Sequence, residues 1–152
     1  MIRIVAALLL VTVSLVGAHL EVEFEKINIK PPLSRYYIHF VNDLSILGMM
    51  VHCQSKDDDL GVHHLLNRGD NYQFNFRVNF WRTTLFWCDV DRPDAHVSFQ
   101  CFWPEKRSTW LRDRCRDGNV GTCIWKFKDD GVYLRNNAAN TDELVHKWTF
   151  TR

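Results

Sequence analysis

The chain has 152 residues, with 19 lysines and arginines, 18 aspartates and glutamates, and a formal net charge of +1. This balance argues against nucleic acid as a partner, because nucleic-acid-binding proteins carry a surplus of basic residues that displaces counterions. It also argues against adhesion to anionic lipid through charge alone. A chain of this length predicts a single domain that is large enough to bury a core.

Residues 1–18 form a predicted secretory signal peptide. Arg3 supplies the positive charge, an apolar run extends from Ile4 to Val16, and the small residues Gly17 and Ala18 mark a cleavage site. The alternative is a membrane anchor, but the apolar run is shorter than the roughly 20 residues that cross a bilayer. We therefore expect secretion, no membrane insertion after cleavage, and one mature domain over residues 19–152.

Most of the remaining sequence alternates apolar and polar residues with a period of two, which is typical of β-strands. Strands are predicted at 36–41, 49–54, 62–66, 72–78, 83–90, 97–101, 123–127, 132–135 and 144–150. Residues 104–114 lack this alternation and are predicted to form a loop or a single helical turn. Short strands separated by turns rich in Asp, Asn and Gly predict an all-β fold, a small antiparallel β-sandwich.

The alternation also predicts which side chains share the core. Gln73 and Asn75 should face the solvent, because they alternate with aromatic residues in the strand 72–78. The apolar faces of the strands should meet in one core. Its predicted members are Tyr72, Phe74, Phe76, Phe86, Phe99, Trp125 and Phe127.

The five cysteines lie at positions 53, 88, 101, 115 and 123. In a secreted chain, this odd number implies two disulfides and one remaining thiol, and the residues alone leave the pairing open. A zinc site is not expected, because the C-x7-C spacing is wider than the paired spacing of structural zinc sites. The secretory pathway also oxidises thiols, so we predict disulfides, with no metal and no cofactor.

The sequence contains no recognisable catalytic constellation. Of the seven histidines, those at 39, 52 and 146 fall within predicted strands, His96 directly adjoins one, and His63 and His64 point to opposite faces of one strand. The motifs of serine hydrolases, zinc proteases and phosphate-binding loops are missing. We therefore predict that the protein is not an enzyme and assign no catalytic residue.

Asp57, Asp58 and Asp59 place three carboxylates in one predicted loop. They suggest calcium, which prefers oxygen ligands, but the loop lacks the alternate spacing, glycine and distal glutamate of an EF-hand. A solvated turn in which one Asp caps a backbone N–H is the interpretation that we favour. The loop is also a candidate for contact with a partner.

The segment from Glu105 to Asp117 combines charges with tryptophan. Because Arg and Trp are frequent at binding hot spots, this segment is the first candidate for a partner-binding surface. The alternative is a solvated loop whose tryptophans pack into the sandwich. The residues proposed to contact a partner are Arg107, Trp110, Arg112 and Arg114.

Several motifs in the same order resemble those of the plant self-incompatibility proteins, also called S-protein homologues. Residues 51–65 read VHCQSKDDDLGVHHL, and residues 71–90 read NYQFNFRVNFWRTTLFWCDV. Cys115, Cys123 and Trp125 then form a C-x7-C-x-W motif before Asp130-Gly131. The resemblance extends from the strand around Ile38 to the C-terminus. It implies a small secreted plant protein that serves as a recognition ligand for a receptor.

The family uses four cysteines that match positions 53, 88, 115 and 123, which leaves Cys101 as a departure. Within this frame we predict the bridges Cys53–Cys123 and Cys88–Cys115, because Cys53 and Cys123 both share a face with large apolar residues. Cys101 is then a reduced cysteine that packs as a small hydrophobic residue. The alternative is an exposed thiol that links two chains.

Two functional hypotheses from different classes follow. The first is a monomeric, non-enzymatic signalling protein whose loops bind a cell-surface receptor, in self-incompatibility or in another cell–cell signal. The second is a secreted carbohydrate-binding or defence protein, in which exposed aromatic rings stack on sugars beside polar side chains. An aromatic-lined groove on one sheet would favour the second hypothesis.

Overall fold

The computed structural model describes residues 33–45 and 48–151, and the predicted signal peptide at residues 1–18 lies outside them. The described residues form eleven strands and one short helix. In chain order these are β1 Arg35–Asn42, β2 Met49–Gln54, β3 Asp59–Leu65, β4 Asn71–Arg77, β5 Phe86–Arg92, β6 Ala95–Phe102, α1 Trp110–Cys115, β7 Arg116–Asp117, β8 Val120–Lys128, β9 Gly131–Asn136, β10 Thr141–His146 and β11 Thr149–Phe150. None of the described helices has the length and apolar character of a membrane span.

The strands form two sheets that pack face to face. One sheet has the order β10-β9-β8-β1-β4, with β7 paired to β8, and the other has the order β11-β6-β5-β2-β3. The predicted all-β sandwich is therefore confirmed. Among the described pairings, β1 with β8 is parallel and the others are antiparallel. Alternation alone could not show this exception, because it is the same in both kinds of sheet.

The predicted strand 144–150 is divided in the structure. β10 pairs with β9 in one sheet, whereas β11 pairs with β6 in the other. Between them the buried Trp148 donates a hydrogen bond from its indole N–H to the carbonyl of Lys128, at 2.8 Å. The predicted irregular segment 104–114 contains the start of α1, as the missing alternation indicated.

Aromatic side chains from both sheets meet in the centre of the core. The ring of Phe99 in β6 lies 5.0 Å from Trp125 and 6.2 Å from Phe127, both in β8. Trp125 is fully buried, and its indole N–H donates to the carbonyl of Cys101 at 3.2 Å. The core therefore satisfies the polar atom of its largest side chain internally.

The predicted aromatic residues of β4 contact the core but are only half-buried. Phe74 and Phe76 pack against the buried Phe86 at centroid distances of 5.1 and 4.6 Å. Tyr72 is also half-buried. These three side chains are not fully buried because β4 is an edge strand, with a neighbouring strand on one side only. The register is as predicted, because the alternate polar residues of β4 are exposed.

The predicted cysteine pairing is wrong, because the bridges are Cys53–Cys88 and Cys115–Cys123. Cys53 and Cys88 lie directly opposite each other on the antiparallel strands β2 and β5, with Cα atoms 4.1 Å apart. The chain leaves α1, turns through β7 and returns in β8, which brings Cys115 to a Cα distance of 4.5 Å from Cys123. Alternation correctly placed Cys53 and Cys123 in the core, but it could not show that they belong to different sheets.

Cys101 is a free cysteine, as predicted, and it is fully buried, so it is not an exposed thiol that could link two chains. Its sulfur lies 3.2 Å from the sulfur of Cys88. Attack on the bridge requires a thiolate, and burial raises the pKa of the Cys101 thiol. Burial therefore disfavours the thiolate form of Cys101 that could exchange with the Cys53–Cys88 bridge.

We expect Cys101 in the native protein to resist iodoacetamide at pH 8, since the thiol is both inaccessible and protonated. After denaturation in guanidinium, peptide mapping by mass spectrometry should show one alkylated cysteine and the two observed bridges. A Cys101→Ala variant, which should retain the same bridges, is the control. Rapid alkylation of the native thiol would contradict its burial.

Asn42, at the end of β1, is a fully buried polar residue that connects the two sheets. Its side-chain N–H donates to the carbonyl of Leu65 in β3 at 3.0 Å, and its side-chain oxygen accepts from the N–H of Leu44 at 3.0 Å. Its own backbone N–H donates to the carbonyl of Asp70, and its carbonyl accepts from the N–H of Gly69. One side chain and its backbone thus join β1 to the β3–β4 connection.

Replacement of Asn42 by Ala should lower the free energy of unfolding by about 2–4 kcal/mol, because each buried backbone group left unpaired costs about 1–3 kcal/mol. Urea denaturation measures this loss. Asn71→Ala, at an exposed position of β4, is the matched control and should change stability by less than about 0.5 kcal/mol. Equal stability of the two variants would show that Asn42 does not connect the sheets energetically.

Candidate partner-binding surface

Three connections lie together at one end of the sandwich: residues 55–58 between β2 and β3, residues 78–85 between β4 and β5, and residues 103–109 between β6 and α1. The strand register brings them together. Gln54 pairs with Trp87, and Phe86 pairs with Phe102, so the ends of β2 and β6 flank the start of β5. We call this region the loop end. It contains Arg107 and the aspartates of the 55–58 turn, which are far apart in sequence.

A groove of about 260 Å³ runs between the 78–85 and 103–109 connections, and we call it the basic groove. Its lining includes the predicted residues Arg107 and Arg112. Arg107 is exposed, whereas Arg112 is half-buried and lies 3.8 Å from the carboxylate of Asp113. The groove also contains Arg82 and Lys106, which the sequence interpretation had not selected. Basic side chains from two distant segments therefore share one concave surface.

Glu105 is the one acidic residue in the described lining of the basic groove, and its carboxylate also caps α1. The two oxygens of Glu105 accept hydrogen bonds from the backbone N–H groups of Leu111 and Arg112, at 2.6 and 3.0 Å. Tyr36 forms part of the wall, and burial, followed by the charge of Glu105, raises the pKa of Tyr36 to about 12. The Tyr36 hydroxyl is therefore neutral at physiological pH, and the Glu105 carboxylate already accepts two backbone hydrogen bonds.

Trp110 and Arg114, which were also predicted to contact a partner, have contacts within the fold. The guanidinium carbon of Arg114 lies 4.1 Å from the ring centre of Trp110, whose other neighbour is Trp103 at 5.9 Å. Arg114 also donates to Glu143 in β10 at 2.6 Å. Both side chains are half-buried, so they hold α1 against its neighbours and leave less surface for a partner than Arg107 does.

The three aspartates of the predicted second surface divide into two groups. Asp57 and Asp58 are exposed in the turn, where their backbone N–H groups donate to the hydroxyl of Ser55. Asp59 begins β3, and its carboxylate accepts from the N–H of Gly61 and contacts His52 at 2.7 Å. The bond from Gly61, with a second from His52, lowers the pKa of Asp59. All three are exposed, but Asp57 and Asp58 are the residues of this set whose carboxylates accept no hydrogen bond from a described residue.

The sequence interpretation missed the most exposed aromatic residues of the loop end. Phe80 and Trp81, in the 78–85 connection, are 89% and 78% exposed. The sequence does contain an indication of this exposure. Phe80 and Trp81 are two adjacent large aromatic residues just after the strand 72–78, and such a pair breaks the apolar–polar alternation. Two neighbouring side chains cannot both face the core of a strand, so at least one of them had to be accommodated elsewhere.

A second groove lies on the other side of the 78–85 connection, with a volume of about 610 Å³. Its lining includes Trp87, which is half-buried, and the polar residues Asn79, Thr83, Asp57 and Asp58. We call it the polar groove. The 78–85 connection thus separates two concave surfaces, and each predicted binding segment contributes to one of them.

A cluster of charges lies away from the loop end, around Asp142 of β10. Lys126, Lys128 and Arg135 donate to its carboxylate at 3.1, 2.9 and 3.1 Å. Burial by itself would raise the pKa of Asp142, but these bonds outweigh burial and lower it to about 2. Because the folded-state pKa is below the unfolded value, the stabilisation is present above about pH 4 and is lost as the pH falls towards 2.

Asp142→Asn should destabilise the protein at pH 7 by about 2 kcal/mol, the equivalent of this pKa difference. Denaturant unfolding of both proteins at several pH values measures the effect. The difference between wild type and variant should decrease between about pH 4 and pH 2. A difference that is constant over this interval would show that the carboxylate charge is not responsible.

Comparisons with known proteins agree with the fold described above and with the family resemblance found in the sequence. A family model described as plant self-incompatibility protein S1 matches residues 37–148. S-protein homolog 1 and S-protein homolog 74 of Arabidopsis thaliana are 36% and 35% identical to this chain, over 79% and 78% of its length and 76% and 74% of theirs. A solved structure of the self-incompatibility protein homologues, at 14% identity, superimposes with a TM-score of 0.58 and covers 76% of this chain and 96% of that one.

The solved homologue is described as a member of "a widespread family of small, highly stable, secreted proteins from plants". The fold that the two proteins share is the two-sheet architecture reported above. The description of the homologues as secreted agrees with the location predicted for this chain from its sequence. The matched segment includes both disulfides and all three connections of the loop end. The chain therefore belongs to the plant self-incompatibility S1 family, the secreted S-protein homologues.

Proposed function

We propose that this protein is an extracellular recognition ligand that binds a cell-surface receptor through its loop end and has no catalytic activity. The observation that carries the proposal is the convergence of three connections, two grooves and an exposed aromatic pair on one end of a disulfide-bonded sandwich. Loops held by a rigid scaffold are the usual location of binding residues. In this proposal the mature domain, residues 19–152, acts as a monomer.

The charges of the loop end support recognition of a protein surface. Within the described part of the chain, Arg82, Lys106 and Arg107 have no acidic partner. The carboxylates of Asp57 and Asp58 likewise accept no hydrogen bond from another described residue. Unpaired charges at the rim of an interface select between partners and accelerate association. Their arrangement would let the loop end discriminate between related receptors.

The histidines of the described strands support a role without catalysis. His63 stacks on Tyr72 at a centroid distance of 3.6 Å and bonds to the carbonyl of Leu60. His52 contacts Asp59, but no hydroxyl or thiol among the described residues bonds to its ring. A nucleophile and its base must lie within hydrogen-bond distance of each other. These histidines instead make contacts that fit a structural role.

A second candidate function, carbohydrate binding, is favoured by the polar groove. Sugar rings stack on aromatic faces, and Trp87 lines this groove beside hydroxyl, amide and carboxylate groups. A saccharide bound there would lie against the start of β5, which contributes Phe86 and Trp87 to the lining. If this function is correct, Trp87→Ala should abolish glycan binding.

A panel of receptor ectodomains and glycans, screened by surface plasmon resonance against the purified mature chain, tests the proposal. We expect saturable binding to an ectodomain, and Arg107→Ala should weaken it by about 1–2 kcal/mol with little change in thermal stability. Arg114→Ala should instead lower stability, because it removes the bonds to Glu143 and Trp110.

The contrast between the two arginines is the control, since both changes remove one positive charge from the same region. Binding to glycans alone would favour the second candidate. Turnover of a substrate by the pure protein would contradict the proposal, and unchanged affinity in Arg107→Ala would move the contact to the Asp57–Asp58 turn or the 78–85 connection.

A further inference from the structure

Phe80 and Trp81 form an exposed apolar tip on the 78–85 connection. Their rings contact each other edge to face at 5.2 Å, and both remain largely accessible to solvent. Large aromatic side chains are the most frequent anchors of protein interfaces, because each one buries a large area at a small cost in side-chain entropy. Exposure of two such rings at one point is unfavourable in the free protein and is relieved when a partner covers them.

Hydrogen bonds from Asn79 hold the tip in a defined conformation. The side-chain oxygen of Asn79 accepts from the N–H of Thr83, and its side-chain N–H donates to the Thr83 hydroxyl, both at 2.8 Å. Its backbone N–H donates to the hydroxyl of Thr84, and its carbonyl accepts from the N–H of Arg82. These four bonds close the loop below the aromatic pair. A loop that is ordered before binding loses less entropy when it binds.

Arg82 continues the tip in a left-handed conformation, with a φ of 52°. This conformation is uncommon for residues other than Gly, Asn and Asp, and it persists where the surrounding contacts enforce it. The arginine side chain lines the basic groove beside Lys106 and Arg107. The aromatic tip is therefore followed directly by a group of three cations that have no acidic partner among the described residues.

We propose that Phe80 and Trp81 are the anchor of the receptor contact, and that they insert into an apolar pocket of a protein whose rim is acidic opposite Arg82, Lys106 and Arg107. This inference rests on the proposed function and names the contact and the chemistry of the partner. The basic groove contains four cations and one carboxylate, and Glu105 already accepts two backbone hydrogen bonds. Charge complementarity therefore requires acidic side chains on the segment that occupies this groove.

The surroundings of the tip favour a protein over a lipid membrane. Asp57 and Asp58 are exposed in the turn that lines the polar groove on the other side of the 78–85 connection, and Lys56 and Arg77 line the same groove. The two carboxylates offset the two cations, so this side of the tip offers an anionic bilayer no net electrostatic attraction. A flat bilayer also cannot fill grooves on both sides of the connection. A folded partner with its own relief and mixed charges can satisfy both sides.

The experiment begins with a random peptide display library that is panned on the immobilised mature chain, with Trp81→Ala used for counter-selection. We expect the enriched peptides to combine Asp or Glu with apolar residues. Synthetic versions should bind wild type at least about tenfold more tightly than Trp81→Ala, as expected for loss of an anchoring residue. Enrichment of neutral or basic peptides, or equal binding to both proteins, would overturn the proposal.

Variants separate the contributions of the anchor, the loop and the charges. Asn79→Ala retains both aromatic rings but releases the loop, so it should weaken binding severalfold. Lys106→Glu combined with Arg107→Glu should weaken binding of the acidic peptides by about tenfold and reduce its dependence on salt. Phe150→Ala is the matched control, because Phe150 is 58% exposed and lies in β11, away from the loop end. It should bind the peptides like wild type.

Two further measurements distinguish this inference from the proposed function. Vesicles of phosphatidylcholine and phosphatidylserine should not bind the wild type, and binding that Trp81→Ala abolishes would identify a membrane anchor and overturn the inference. Receptor binding that is unchanged in both Phe80→Ala and Trp81→Ala would overturn the anchor but retain the proposed function. If no ectodomain binds the protein, but panning still selects acidic peptides whose binding depends on Trp81, the proposed function would be overturned and the anchor supported.

Discussion

The buried amide of Asn42 joins the two sheets at the end of the sandwich opposite the loop end. β1 lies inside one sheet, between β8 and β4, while Leu65 ends the edge strand β3 of the other. The bond between Asn42 and Leu65 therefore crosses from one layer to the next. It lies at the end of β1, whereas the three connections of the loop end lie near its beginning. This junction holds the sheets together at one end, and the connections at the opposite end take no part in it.

The disulfides stabilise the loop end itself, because each bridge lies next to the base of one of its loops. Cys53 immediately precedes Gln54, the last residue of β2, and Cys88 lies near the start of β5, so their bridge connects the bases of the 55–58 turn and the 78–85 connection. The Cys115–Cys123 bridge fixes the end of α1, which follows the basic segment. Each bridge is thus adjacent to a part of the proposed binding surface. Cross-linked loop bases reduce the entropy lost when the loops bind.

The loop end combines an apolar centre with charges around it, as interfaces between proteins commonly do. Phe80 and Trp81 form the centre, the basic groove lies on one side, and Asp57 and Asp58 lie on the other. The strands contribute to the lining of the grooves, through Tyr36 in the basic groove and Trp87 in the polar groove, and the connections contribute the exposed charges and the aromatic pair. Such a division allows the partner preference of a family to change through the connections while the core remains constant.

The sequence by itself determined most of the strands, their inward faces, the secreted class and the family. Alternation is a local property, so it predicted that Gln73 and Asn75 face solvent and that Cys53 and Cys123 face the core. The family frame also identified Cys101 as the unpaired cysteine, and its buried position agrees with the alternation of β6. These properties depend on residues that are neighbours along the chain.

Only the tertiary structure decided the disulfide pairing, the parallel β1–β8 pair and the composition of the binding surface. Alternation reports the face of a strand but not its sheet, and therefore it could not distinguish Cys88 from Cys123 as the partner of Cys53. It also could not show that Arg114 is occupied by Glu143 or that Trp81 is exposed. Each of these facts depends on contacts between segments far apart in sequence, which form only when the two sheets close on each other.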